Sequence, residues 1–230
     1  MSPLTSHSSP KIVALVPMRE HSERVPGKNY RPFAGRPLYH HIISSLLACP
    51  YIDSVYIDTD SSFIVEDAPR NFDVHIIERP EHLRSDFTPM NDILLYDVTQ
   101  VEADYYVQTH STNPLLRAQT IGASIEALLA SSQCDSLFSV TRLQRRLWDA
   151  DGRPVNHDPN HLLRTQDLPP VYEENSCLYI FSKPILEERR NRIGERPLLF
   201  EIDRIEAWDI DDEQDFQIAE LLYVERERRS

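Results

Sequence analysis

Glycine and lysine are scarce in this sequence, with five Gly and three Lys among 230 residues. With so few glycines there is no Gly-x-Gly-x-x-Gly run, the turn that lets a backbone approach a dinucleotide pyrophosphate. A Walker A loop fails as well: Gly27-Lys28 is followed by Asn29 rather than Ser or Thr, and Ser22 stands where the first Gly is required. Dinucleotide dehydrogenases and P-loop NTPases are thereby disfavoured. Three cysteines, Cys49, Cys134 and Cys177, are far apart, and no Cys-x-x-Cys occurs, so neither a zinc site nor a disulfide framework is expected. No run of about 18 apolar residues is present to cross a membrane. The opening MSPLTSHSSP lacks the basic and apolar regions of a signal peptide, and a cytoplasmic location is the expectation. Positive charge is also in deficit: 24 Lys and Arg against 37 Asp and Glu give a net charge of −13. A phosphate backbone wants a basic face, so no nucleic-acid partner is expected.

What is there is a packing composition, 40% hydrophobic with ten Tyr, eight Phe and two Trp. That is enough for one buried core at this length. Residues 1–10 read as a disordered polar tail and 11–230 as one domain. Short apolar runs at 11–17, 54–58, 73–77, 104–108 and 137–141 read as strands. Between them, 37–48, 61–70, 89–102 and 118–130 carry helical patterns, such as the Ile121, Ile125, Leu128, Leu129 stripe. A further strand is expected at 176–181 and a closing helix at 211–226, with ERERRS frayed at the end. This rhythm predicts an α/β fold: a mostly parallel, doubly wound sheet with helices on both faces. It breaks over 142–172, which holds four prolines and is too polar for a core element and too long for an ordinary connection. A lid, binding loop or oligomer arm is expected there, against the alternative of a surface loop without a role.

Two charged stretches carry the candidate chemistry. Residues 18–36 hold Arg19, Arg24, Lys28, Arg31 and Arg36 against Glu20 and Glu23, a local excess of positive charge just after the first strand. Ligands of open α/β sheets bind at that edge, and Arg and Lys give charge-assisted hydrogen bonds to phosphate. Residues 201–215 contain eight acidic residues and one basic. In an extended segment Asp209 and Asp211 fall on one side and Ile210 on the other, toward the core. Two hard oxygen ligands on one face suit Mg²⁺. The alternative for Asp211, Asp212 and Asp215 is helix capping, since carboxylates favour a helix N-terminus. Together the two stretches describe a metal–nucleotide site for phosphoryl or nucleotidyl transfer.

The motif Arg19-xx-Ser22-xxx-Pro26-x-Lys28-Asn29, followed by Arg31 to Leu38, resembles the opening of the acylneuraminate (CMP-sialic acid) cytidylyltransferases, cousins of the CMP-Kdo synthetases. Asp58-Thr-Asp60, Arg79-Pro-Glu-x-Leu83-x-Ser85-Asp86, Thr112-Asn-Pro-Leu115, Asn175 to Tyr179 and Asp209-Ile-Asp211-xxx-Asp215 are similar to further motifs of that family, so the likeness spans almost the whole chain. The resemblance implies a nucleotidyltransferase (Rossmann-like) fold and a homodimer joined through the excursion after about residue 140. It implies attack by an acceptor oxygen of an acidic sugar on the α-phosphate of CTP, with pyrophosphate leaving. By matching position, Arg19 and Lys28 would hold the triphosphate, with Ser22 and Arg24 in the same loop. Asn29, Arg79 and Ser85 would line the nucleotide, and Asp209 and Asp211 would bind Mg²⁺. No strong protein general base is visible; His110 and His21 are candidates.

The chain also departs from the family pattern. Glu20-His21-Ser22-Glu23 replaces a Gly-Gly-Ser-Lys run, His110 stands for a Gln if Thr112-Asn-Pro is the anchor, with Gln108 two residues earlier, and Asn175-Ser176 stands for Asn-Gly. On the acceptor side the candidates are His110, Arg164, Glu173, Asn175 and Tyr179. Arg164, on the excursion, is the expected partner of an acceptor carboxylate, within reach of a neighbouring subunit's site. Glu173 and Glu174 are expected to face acceptor hydroxyls or an amino group; the alternative pairs one of them with Arg164.

Overall fold

The structure is a computed structural model that describes residues 9–22 and 24–229. Most of the expected N-terminal tail, Glu23 and the terminal Ser230 lie outside the described residues. In chain order the elements are β1 (Ile12–Leu15), β2 (Pro32–Phe33), β3 (Arg36–Pro37), α1 (Tyr39–Leu47), β4 (Ser54–Thr59), α2 (Ser62–Asn71), β5 (His75–Glu78) and α3 (Met90–Gln100). Then follow β6 (Tyr105–Thr109), α4 (Ala118–Ala130), β7 (Ser136–Leu143), β8 (Val171–Phe181), α5 (Lys183–Arg189), β9 (Pro197–Glu201) and α6 (Glu213–Arg229). Seven strands form one sheet in the order β5-β4-β1-β6-β8-β7-β9, and β2 and β3 form a small hairpin. Within the large sheet only β8 runs against its neighbours, so the expected mostly parallel α/β architecture is present.

Alternation along β1 divides the core. Ile12 and Ala14 face a cluster with Ile42 and Ile43 of α1, Ile64 of α2 and Ile121 and Ile125 of α4. Val13 and Leu15 face the other side, against Leu94 and Val98 of α3 and Leu186 of α5. A strand buried on both faces is what a parallel sheet covered by crossover helices requires. A third cluster packs Phe216 and Ala219 of α6 against Val25, Phe33 of β2, Leu38, Leu115 and Ile210. It ties the far C-terminal segment to the loop that follows β1, and so brings the two charged stretches together. Among the described residues no helix is long and apolar enough to cross a membrane.

Two elements go beyond the sequence reading. The segment 183–201, which has no strong period, forms α5 and the edge strand β9. Leu186 is the one buried residue of α5, and β9 pairs with β7 alone, so neither element needs a full apolar stripe. The excursion is also shorter than expected. Arg142 and Leu143 pair with Tyr172 and Val171, so 142–143 and 171–172 belong to a long β7–β8 ribbon and the irregular part is 144–170. That part is held by its own polar bonds: Asn156 Nδ2 donates to Arg145 O (2.7 Å), and Gln144 Nε2 donates to Leu168 O (2.7 Å).

Candidate active site

The chain beyond β1 stays in strand register for three residues. Val16 N–H donates to Tyr56 O and Met18 N–H to Asp58 O (2.8 Å), which carries Arg19 to the carboxyl edge of the sheet. The loop then turns at Gly27, whose φ of 66° is left-handed, and a Cβ there would lie 2.8 Å from the Tyr30 ring. A glycine is therefore required at this turn. A short 3₁₀ turn over Lys28–Tyr30 follows. Asn29 pins the loop from both ends: its Nδ2 donates to Arg19 O (2.7 Å), and its Oδ1 accepts from Ser111 Oγ (2.6 Å). The Asn29 side chain thus builds the loop and joins it to the segment after β6.

The result is a cavity of about 410 Å³ at the sheet edge. Arg19, Ser22, Arg24, Lys28 and Asn29 line one side, and Arg79, Ser85 and His110 line the others. All eight residues expected around the nucleotide and at the His110 position are brought together. A second hollow of about 320 Å³, bounded by Arg36, His41, Arg117 and Arg226, contains none of them.

Asp209 and Asp211 meet the basic loop from the C-terminal side. Ile210 is fully buried, and its N–H donates to Thr112 O (3.0 Å), which fixes the carboxylates on the opposite side of the segment. Lys28 Nζ donates to Ile210 O (2.6 Å), between the two carboxylates, and Arg24 pairs with Asp211 at 2.7 Å. Burial raises the pKa of Asp209, and the like charge of Asp211 raises it further. Lys28 is pulled down by burial, against the attraction of both carboxylates. Two carboxylates that repel one another beside a phosphate-sized basic loop are a donor set that fits a hard divalent cation. Among the described residues no group of three or more His, Cys, Asp or Glu converges, so such an ion would keep water and substrate oxygens as ligands, the habit of Mg²⁺. The Arg24–Asp211 pair is solvent-exposed on both sides and so exchangeable at little cost. The capping alternative holds for the two residues further on. Asp212 Oδ1 accepts from the N–H groups of Gln214 and Asp215, and Asp215 Oδ2 accepts from Asp212 N–H, a reciprocal cap for α6.

Arg79 is buried and pairs with the equally buried Asp58 through Nε and NH2. Its NH1 has no protein partner, although the residue lines the cavity. Behind this pair lies Asp97 of α3, fully buried, its carboxyl group facing Asp58. Neither Asp97 oxygen meets any N–H or neutral hydroxyl donor. Burial and the Asp58 charge push the Asp97 pKa well up, so Asp97 holds a proton while Asp58 stays ionised on Arg79. On the rim, Asp86 pairs with Arg19 at 2.5 Å, and Phe87 stands 93% exposed.

The acceptor-side candidates lie apart within one subunit. Arg164 is not in the cavity; it forms a two-point pair with Asp167 on the excursion (2.7 and 3.1 Å), both side chains exposed. It does not pair with Glu173 or Glu174 either. Glu173 is exposed on β8, while Glu174 accepts the Tyr179 hydroxyl at 2.5 Å. Asn175 is committed to the sheet. Its Oδ1 accepts from Ser139 Oγ (2.6 Å) and its Nδ2 donates to Thr141 Oγ1 (3.0 Å), across the irregular register between Phe138 and Val140. Ser176 there takes a φ of 57°, which accounts for a glycine at this place in the family pattern. His110 is a poor base: burial, with Arg192 and Lys28 nearby, holds it down to about 3. Its Nε2 accepts from Gln108 Nε2 (3.0 Å), which places the proton on Nδ1.

Sequence reasoning missed Asp97 and Arg192. Asp97 carried a signal, an acidic residue inside the Ile93, Leu94, Val98 stripe of α3. Arg192 carried none; it lies in the loop after α5, its guanidinium 3.4 Å above the Tyr179 ring and its NH1 bonded to Gln108 Oε1.

Known proteins resemble this chain over nearly all its length. A pseudaminic acid cytidylyltransferase of Campylobacter jejuni subsp. jejuni is 24% identical over 224 residues, 93% of this chain and 96% of the relative. A CMP-N,N'-diacetyllegionaminic acid synthase of Legionella pneumophila is 27% identical over 230 aligned residues, 92% and 96% of the two chains. Among solved structures, a CMP:2-keto-3-deoxy-manno-octonic acid synthetase complexed with CTP superposes with a TM-score of 0.72 at 16% identity, covering 94% of this chain and 99% of the other. The family model described as Cytidylyltransferase matches residues 13–228, and with this sheet and this basic cavity at its edge the chain belongs to the cytidylyltransferase family.

Proposed function

We propose that this chain transfers the CMP unit of CTP to a hydroxyl oxygen of an acidic sugar of the nonulosonic type. The observation that carries the proposal is the basic cavity lined by Arg19, Arg24 and Lys28, with Asp209 and Asp211 acting on Lys28 and Asp211 paired to Arg24 beside it. Relatives named for pseudaminic, N-acylneuraminic and legionaminic acids support the acceptor class.

Arg19, Arg24 and Lys28 hold the triphosphate, exchanging their present carboxylate and carbonyl partners for phosphate oxygens. The unpaired NH1 of Arg79 meets a carbonyl oxygen of the base, and Asp58 keeps that guanidinium in place. Mg²⁺ held by Asp209 and Asp211 supplies charge neutralisation at the α-phosphate and lowers the pKa of the acceptor hydroxyl. The acceptor oxygen forms a bond to the α-phosphorus, and the bond from that phosphorus to the bridging oxygen breaks. Pyrophosphate leaves with the electron pair, and the hydroxyl proton passes to solvent. His110, neutral at physiological pH, positions by hydrogen bonding rather than by proton transfer. The excursion, with Trp148, Val155 and Leu162 exposed, joins two copies in a homodimer.

Pyrophosphate release tests this. The protein with CTP and Mg²⁺ is given pseudaminic, legionaminic, N-acetylneuraminic or Kdo acid, or a simple phosphonate, with UTP, GTP and EDTA controls. Release with CTP and one nonulosonic acid, lost in EDTA, is expected. Release with Kdo or a phosphonate alone would replace the acceptor class, and silence across the panel would overturn the activity.

A further inference from the structure

We propose that Arg192 is the residue on which the acceptor's carboxylate docks; this rests on the acid-accepting function proposed above. The side chain lies one residue behind the cavity wall, linked through Gln108 to His110, which lines the cavity. Gln108 joins the two residues, bonding Arg192 NH1 through Oε1 and His110 Nε2 through Nε2. His110 is acted on by two cations, Lys28 and Arg192. A cavity that takes a triphosphate and a carboxylic acid together needs two separated positive centres, and these residues supply them.

Among the described residues no carboxylate pairs directly with Arg192. Its neighbours Arg189 and Arg190 pair with Glu195 and Asp92, whereas Arg192 makes no ion pair among the described residues. Glu174 acts on Arg192 through its charge without a direct bond, its oxygen accepting the Tyr179 hydroxyl instead. Burial works against the Arg192 charge, and a bound anion would offset that cost. Gln108 Oε1 is its side-chain hydrogen-bond partner, which leaves donors of the five on a guanidinium for a two-point carboxylate contact.

The position is also prepared before any ligand arrives. The ring of Tyr179 supports one face of the guanidinium. The backbone around it is fixed on both sides: Arg192 N–H donates to Asn91 Oδ1 (3.3 Å) and Gly194 N–H to Ser136 Oγ (2.8 Å). A Cβ at Gly194 would come within 2.1 Å of Asp135 Oδ1, so the loop fits closely against β7.

The test compares wild type, Arg192→Gln and Arg192→Lys, using the nonulosonic acid that wild type turns over and the carboxamide of that same acid. Arg192→Gln is expected to raise the KM for the acid about 50-fold or more, the scale of losing one partner of a buried charge pair. It should leave the CTP dissociation constant within about twofold and abolish the preference for acid over carboxamide; Arg192→Lys should restore part of that preference. The preference is the readout that a merely structural role would not move, and thermal melts of both variants check folding. An Arg192→Gln enzyme that keeps the preference, or that loses CTP binding as much as acceptor binding, overturns the assignment. Wild type silent on every acid overturns the proposed function itself, and the two failures are thereby distinct.

Discussion

Replacing Asp97 by Asn should stabilise the protein at neutral pH, and the gain should grow with pH. Asp97 is fully buried on α3 with Asp58 before it, and Asp58 already has Arg79 as its counter-charge. The Asp97 carboxyl is consequently protonated in the folded chain, its pKa well above the ordinary 3.8. Below pH 3.8 the folded and unfolded chains both hold this proton and the group costs nothing. Above it the unfolded chain releases the proton while the folded chain keeps it. Folding stability then falls by about 1.4 kcal/mol per pH unit until the folded pKa is reached. Asn has nearly the same shape, offers an N–H where the acid offers its O–H, and does not titrate. The variant should therefore gain on wild type steadily as pH rises above the ordinary carboxyl range, by at most about 1.4 kcal/mol per pH unit, before a constant offset for the changed geometry. Urea unfolding of both proteins at pH 4, 5.5 and 7 reads the difference directly, provided the m-values agree. A difference that is flat with pH would refute the reasoning, because Asp97 would then be ionised in the native state.

His41 points to a loss of stability in acid. It is buried, donates Nε2–H to Phe33 O (2.9 Å), accepts from Arg36 at Nδ1 (3.2 Å), and burial holds it down to about 4. Stability is full above the ordinary 6.5 and drops by roughly 2 kcal/mol between there and pH 5; nitrogen-detected NMR of the ring should find it neutral throughout that range. Ile210→Ala should cost about 3 kcal/mol in denaturant unfolding, because Ile210 is fully buried in the cluster under α6, and should also lower kcat by loosening Asp209 and Asp211. Asp211→Asn should lower kcat by roughly 100-fold or more in the pyrophosphate assay, with near-normal turnover removing it from the metal. Lys28→Ala should weaken CTP more than acceptor; an effect confined to acceptor KM would reverse its assignment.

The fold was legible where burial imposes a period. The β1 run and the stripes of α1 and α4 face a core, so their apolar residues recur at the spacing of the element. Where one face of an element is enough, as in α5 and β9, the period is weak and both were missed. The meeting of the basic loop of 18–36 with the acidic run of 201–215 was legible because charge accumulates locally in each stretch. The acceptor side was not. Asn175 looked like a ligand because its sequence neighbourhood matched a motif, yet its amide closes a break in the β7–β8 pairing. Arg164 looked free because Asp167, three residues on, was not weighed as its partner. The contacts of Arg192 with the Tyr179 ring and with Gln108 are made by tertiary packing, the latter across 84 residues, and carry no local pattern.

The central claim is attack at the α-phosphorus of CTP by an acidic acceptor, and phosphorus NMR of the complete reaction tests it most directly. Equal amounts of a CMP ester and pyrophosphate, appearing together as CTP disappears, are the predicted result. CDP with a phosphorylated acceptor, or CTP left intact with every acid offered, would contradict it.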